Sequence, residues 1–272
     1  SFYTRRDFEQ QLPFPGPSLL GYERDFYGLS AEYRDQARVA GRPMDWTLGT
    51  AFHEQRDDRA RFLVGSNGEQ GDRIQDALEK ATSSAVYGQL DLAVTDTLSM
   101  MLGGRYDHVR FRIDDRRGSG EASGSRRYDE FSVSLGPTWT FRPGHNLYAN
   151  VGTAFETPTF TEFYDPTEPE QGFDPDVGPQ QSVNAELGVK GVLGDRARYE
   201  VAVFRIRTED EIVLDEDDGT PADTYRNAGE TRRDGVELGA EVFATDRLTL
   251  TGAYTWSDFR FRDRSGGLRD KR

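Results

Sequence analysis

Residues 128–141 read YDEFSVSLGPTWTF, and every second one from Phe131 is apolar or aromatic: Phe131, Val133, Leu135, Pro137, Trp139 and Phe141. Between them stand Glu130, Ser132, Ser134, Gly136, Thr138 and Thr140. A period of two with one greasy and one polar face is a strand. Its length is the constraint. Strands of soluble sandwiches run about five or six residues, whereas alternation sustained for about ten, at ~3.3 Å per residue and a tilt near 45°, spans the hydrocarbon layer of a bilayer.

The pattern recurs along the chain. In 247–257, Leu248, Leu250, Gly252, Tyr254 and Trp256 alternate with Thr249, Thr251, Ala253, Thr255 and Ser257. In 235–244, Val236, Leu238, Ala240 and Val242 alternate with Glu237, Gly239 and Glu241, and 182–193 behaves likewise around Val183, Ala185, Leu187, Val189 and Leu193. Weaker versions at 27–35, 44–53, 84–94, 97–107, 146–155 and 197–207, with a fragment at 1–8, bring the candidate strands to eleven. Residues 73–80 (RIQDALEK) are the one place where a short helical turn, set inside a loop, is expected. The chain is all-β.

Short connections fall at 36–43, 95–97, 142–146, 193–196 and 245–247, while long polar ones fall at 9–21, 57–82, 113–127, 156–180 and 209–230. Long loops are unusual in a compact soluble domain. A strict alternation of tight turn and long loop is the layout of outer-membrane barrels, with short turns on the periplasmic side and long loops outside. Trp139 and Phe141 beside a tight turn, and Phe155, Trp256 and Phe259 toward the long loops, fit aromatic girdles at the two membrane interfaces. The polar face, carrying Glu130, Asn150, Glu186, Lys190, Glu237 and Glu241, is then expected to line a lumen.

Composition agrees with this and narrows function. Of 272 residues 35% are hydrophobic and 12% aromatic, with a net charge of −14. That aromatic content argues against disorder, and the acidic balance argues against a nucleic-acid partner. The absence of cysteine excludes a disulfide framework and a thiolate metal site. No run approaches the ~18 apolar residues of a membrane helix, a test that barrels evade because their lipid-facing residues alternate with polar ones.

Residues 146–191 read NLYANVGTAFETPTFTEFYDPTEPEQGFDPDVGPQQSVNAELGVKG. This resembles the barrel of TonB-dependent outer-membrane receptors, in which a strand of the form LYA–V––AF–TP enters a loop. Asp174-Pro175-Asp176-Val177-Gly178-Pro179-Gln180 stands where that family commonly has Asn-Pro-Asp/Glu-Leu-x-Pro-Glu. Residues 201–213, 225–242 and 248–261 follow in the family's order, and LGGRYDHVRF (102–111) is also similar. The resemblance implies a 22-stranded barrel filled by an N-terminal plug bearing a TonB box. Residues 1–272, opening SFYTRRDFEQ and ending GGLRDKR, are therefore expected to be about eleven strands of that barrel domain, an internal fragment with plug and final strands outside it.

Thr157-Pro158 reads as a strand end, since proline offers no ladder donor, and Asn227-Ala228-Gly229 as turn chemistry before the strand built on Val236. His53, His108 and His145 lie far apart, so no zinc site is expected. LDEDDGTPAD (214–223) is acidic but lacks the EF-hand order and reads as a solvated loop, and GSGEASGSRR (118–127) as a flexible loop tip. No strand–elbow–helix context surrounds its serines, and no catalytic residue or cofactor is expected. The implied function is energy-coupled uptake of a scarce substrate, a ferric siderophore above all, in the outer membrane of a Gram-negative bacterium. Its implied partners are the TonB complex, acting through the plug, and membrane lipid and lipopolysaccharide. Ligand contacts are expected from loop residues such as Phe160, Phe163, Tyr164 and Arg226. A passive porin, with the same barrel and no plug, and a soluble secreted β-sandwich binding module are the alternatives.

Overall fold

The structure is a computed structural model and describes residues 1–12, 16–118, 120, 122–163, 173–174, 176–215 and 224–262. Eleven strands form one antiparallel sheet in chain order, each bonded to its sequence neighbour. They are β1 (Phe2–Gln11), β2 (Gly16–Val39), β3 (Arg42–Val64), β4 (Gln70–Ala93), β5 (Leu98–Asp115) and β6 (Gly124–Arg142). Then come β7 (His145–Glu156), β8 (Gln180–Leu193), β9 (Ala197–Leu214), β10 (Tyr225–Thr245) and β11 (Leu248–Arg262). A single helical turn, α1 (Phe160–Phe163), interrupts the β7–β8 connection.

The register carries one set of side chains across the sheet. Trp46 pairs with Leu90, Leu90 with Leu102, Leu102 with Leu135, Leu135 with Val151 and Val151 with Ala185. This face is apolar and uncovered: Val133 is 46% exposed, Leu187 51%, Leu238 44% and Leu250 55%. A sandwich would have buried these four residues against a second sheet. Among the described residues no second sheet packs on them, and the apolar face looks outward.

The outward apolar band is sharply bounded. On β3 it runs from Met44 to Phe52 and gives way to Glu54 and Arg56; on β5 it ends at Tyr106, followed by His108 and Arg110. Nine residues tilted near 45° cover roughly 20 Å, close to the ~25 Å apolar belt of outer-membrane barrels. Tyr106 donates its hydroxyl to Asp129 at 2.6 Å and Tyr3 to Asp25 at 2.6 Å, so the upper girdle is apolar in body and polar at its tip. Trp139 and Phe141, 5.9 Å apart, hold the opposite edge.

Glu130, Asn150, Glu186, Lys190, Glu237 and Glu241 lie on the other face, which lines the concave side. Glycines under aromatic rings help the sheet coil around that side. A Cβ on Gly188 would fall 2.5 Å from the Tyr148 ring, and Gly235 sits equally close beneath Phe204. Phe259 departs from its expected place in the girdle. It pairs with Arg233 on the inward face and carries that guanidinium 5.2 Å from its ring.

Several connections are shorter than their sequences suggest. Residues 57–82 are mostly strand: β3 continues to Val64, the turn occupies 65–69, and β4 begins at Gln70. The helical turn expected at 73–80 is strand, paired from Arg73 opposite Phe62 to Lys80 opposite Arg56. In 9–21, 113–127 and 209–230 the strands likewise extend to Gln11, Asp115 and Leu214 and resume at Gly16, Gly124 and Tyr225. The physical reason is common to all. Beyond the lipid the outer face meets water and the inner face buries charged as well as apolar side chains, so apolar alternation is no longer required, while the ladder still pairs the backbone of neighbouring strands. Residues 118–127 accordingly contain the first four residues of β6. The tight turns fall as expected, at residues 40–41, 94–97, 143–144, 194–196 and 246–247.

Candidate functional site

The inward face above the lipid band, on the side away from the tight turns, is where the chain gathers its chemistry. The β7–β8 connection turns inward there. Thr159 opens α1, and its N–H donates to Glu162 Oε2 at 2.7 Å, one half of a capping box. Phe160 and Phe163 thereby point into a cluster with Phe173, Phe111, Ile113 and Ala77. Phe111 meets Phe160 and Phe163 edge-on at 5.3 and 5.4 Å, and Tyr128 stacks on Phe163 at 6.5 Å. Phe163 is fully buried. These two phenylalanines fasten the connection to the wall formed by β4, β5 and β6.

The far end of the same connection is held by Asn227. Its Oδ1 accepts from the Gly178 N–H at 2.7 Å, and its Nδ2 donates to the carbonyls of Gly178 at 3.0 Å and Asp210 at 2.5 Å. Asn227 lies inside β10 and not in a turn, which corrects the reading of Asn227-Ala228-Gly229. The ladder skips Gly229 and Asp210 together, and both have positive φ (26° and 55°). That irregularity turns the Asp210 carbonyl toward the Asn227 amide. Val177 and Ala228 are buried around the clamp.

Beside the aromatic cluster lies a buried charged group. Arg24 grips Asp57 with two bonds, Nε to Oδ1 at 2.8 Å and a terminal nitrogen to Oδ2 at 2.6 Å. Arg59 Nε sits 2.9 Å from Glu79 Oε2, and Gln55 donates to Asp57 Oδ2 at 3.1 Å. Tyr22 lies beneath the Arg24 and Arg59 guanidiniums at 4.9 and 5.7 Å. Burial pushes the Glu79 carboxyl up to about 7 with help from Asp57, against the pull of Arg59, Arg61 and Arg24. None of this was legible while 57–82 read as a loop. The only trace was the alternation Asp57, Arg59, Arg61.

Arg226 forms an ion pair with Asp215, Nε to Oδ1 at 3.2 Å, and is partly exposed. Tyr164 and residues 216–223, most of the acidic stretch, lie outside the described residues. His53, His108 and His145 stand on β3, β5 and β7. His108 bonds Asp129 at 2.7 Å and His145 bonds Tyr199 at 2.9 Å. Among the described residues no three histidine or carboxylate side chains group to hold a metal ion.

The whole chain, residues 1–272, matches the sequence profile of the family described as TonB dependent receptor-like, beta-barrel. The ferrioxamine B receptor of Salmonella typhimurium is 29% identical over 178 residues, 65% of this chain and 23% of that protein. The probable TonB-dependent siderophore receptor PiuA of Acinetobacter baumannii is 25% identical over 270 residues, 92% of this chain and 35% of that protein. The chain thus spans 23% and 35% of the length of these relatives. Among solved structures, the unliganded ferric citrate transporter FecA superposes with a TM-score of 0.75 at 16% identity, covering 97% of this chain and 39% of that one. The ferripyoverdine receptor of the Pseudomonas aeruginosa outer membrane superposes with a TM-score of 0.72 at 17% identity, covering 97% and 38%. The likeness to these two structures is one of fold. Together with the unclosed up-and-down sheet and its outward apolar band, the match along the full sequence makes this chain part of the barrel wall of the TonB-dependent receptor family, proteins of the Gram-negative outer membrane.

Proposed function

We propose that the protein to which this chain belongs imports a ferric siderophore across the outer membrane, with energy supplied through the TonB complex. The observation that carries this is the pairing of an outward apolar band with a charged and aromatic inward mouth, in a chain related to a ferrioxamine B receptor and a siderophore receptor. Ferric siderophores are too large and too scarce for diffusion through a porin. They need a binding mouth and a driven release. In this reading a plug encoded in the same gene fills the lumen and carries the contact to TonB. The ligand meets the mouth at the inward-turned β7–β8 connection, with its Phe160, Phe163 and Tyr164, and at Arg226, the residue before Asn227 of the clamp. Phe160 and Phe163 serve by holding the connection in place, and Arg226 presents a cation to an anionic ferric chelate.

The test is growth of a strain lacking the gene on a panel of ferric siderophores as sole iron source. Growth on one of them is expected to fail, and to fail equally in a strain lacking TonB. Normal growth on every siderophore, with slowed uptake of small sugars, would establish the porin instead.

A further inference from the structure

We propose that the wall carries a lateral seam between β6 and β7, and that this seam admits the acyl tail of an amphiphilic ferric chelate whose head sits in the mouth. The ladder between these two strands is incomplete. They pair from Arg142 opposite His145 up to Ser134 opposite Gly152, and no further. Yet β6 runs on to Gly124 along β5, and β7 runs on to Glu156 along β8. Every other neighbouring pair keeps its ladder to the girdle or beyond it. Val133 pairs with Gly104, and Phe131 with Tyr106 of the girdle, so the split starts inside the lipid band, about 7 Å along the strand below its upper edge.

A cleft of about 150 Å³ occupies the split. Residues of both faces line it: Glu130, Ser132 and Ala154 from the inward set, and Phe131, Thr153 and Phe155 from the outward set. Elsewhere the ladder keeps those two sets apart. Here the cleft joins them and leads from lumen to lipid. Arg207 and Glu209, 3.1 Å apart, close its β9 side. Two bonds, each needing a side chain, bridge the split among the described residues. The Val133 N–H donates to Thr153 Oγ1 at 3.0 Å, and Gln181 Nε2 donates to Glu130 Oε2 at 3.2 Å. Since the Val133 N–H points across the split, strand alternation points the main-chain groups of Phe131 the same way, where the ladder gives them no partner. Such groups are costly in lipid, and a seam latched by side chains opens more readily than one closed by a ladder.

The two ends of the cleft fix the chemistry of its occupant. Outward it meets acyl chains. Inward it opens beneath the mouth: Tyr128, which stacks on Phe163 of the β7–β8 connection, stands two residues above Glu130 on the same face of β6, about 7 Å away. Only a molecule with a polar head in the lumen and an apolar tail in the bilayer suits both ends. The cleft's 150 Å³ is too little for a chelate, since pockets for drug-sized ligands start at roughly 300 Å³. An extended acyl chain is narrow enough to thread it, and each methylene that leaves water for lipid favours the bound state. The inference rests on the proposed import of a ferric siderophore and narrows that substrate to the acylated class.

The experiment titrates the full-length protein in lipid nanodiscs with a linear ferric trihydroxamate and with its N-myristoyl derivative. The wild type is expected to bind the myristoyl form at least tenfold more tightly. Ala154→Phe, which fills the cleft, should lose that gain and bind the unacylated chelate as before, which also establishes that it folds. Ala154→Ser, which leaves the cleft open, should keep the gain. A gain that survives Ala154→Phe comes from partitioning into the bilayer alone and overturns the proposal. Equal affinity for both forms leaves the cleft to the chains of the bilayer and overturns it too. In the same nanodiscs Ala154→Cys is expected to react with a maleimide dissolved in the lipid as well as with one in water; reaction from water only overturns the lateral path. Binding of neither chelate, with Ala154→Cys reactive from the lipid, overturns the proposed substrate and its tail together, and the seam alone stands.

Discussion

Glu79 shows how a single buried side chain couples the mouth to pH. The folded state holds its proton more tightly than the unfolded chain, because burial lifts the carboxyl from its ordinary 4.5 to about 7. Stability from this group is therefore greatest below pH 4.5, declines as pH rises toward 7, and is lost above it, by at most about 3 kcal/mol. Hydrogen exchange of β3 and β4 beyond the girdle, corrected for intrinsic rate, should reveal easier opening at pH 8 than at pH 5, and Glu79→Gln should flatten that dependence. Asn227 is the second sensitive residue. Replacing it with alanine removes three hydrogen bonds and strands the Gly178 N–H. About 1–3 kcal/mol of local stability should go with them. Limited proteolysis should then cut the β7–β8 connection faster in the variant receptor while the barrel stays intact.

Among the strands, the two faces are chemically opposite, and one substitution on each separates them. Val133→Arg puts a charge at mid-height on the lipid side, beside the Gly104 backbone. It should cost about 2–4 kcal/mol and reduce outer-membrane yield. Asn150→Arg, on the lumenal face opposite Glu186, should fold in normal yield. Urea titration of the receptor refolded in vesicles measures both. Equal penalties would mean that the faces have been exchanged. Strand cores and tight turns were legible because lipid enforces alternation and reversals need particular residues, as at Ala40-Gly41, where φ is 51° and 79°. The upper halves of β2, β3, β4 and β10 were not. A strand whose outer face meets water and whose inner face buries charged side chains has no apolar alternation, so Asp57, Arg59 and Glu79 passed for loop residues.

For the molecule as a whole, β1 pairs only with β2 and β11 only with β10 among the described residues. Two bare edges in a bilayer leave a row of backbone donors and acceptors without partners, at several kcal/mol for each group. Residues 1–272 produced alone should therefore aggregate without detergent, and sedimentation of the product tests this; a soluble monomer would contradict the outward orientation of the apolar face. Local rules were enough to read the class of fold, the number of strands, the placing of the tight turns and the side that meets lipid, since period-two alternation and turn chemistry act between neighbours in the chain. The clustering of Phe160 and Phe163 with Phe111, and the Asn227 clamp, were beyond such rules. Each joins residues tens of positions apart, and a shift of one residue in strand register would have sent Phe111 or Asn227 to the other face.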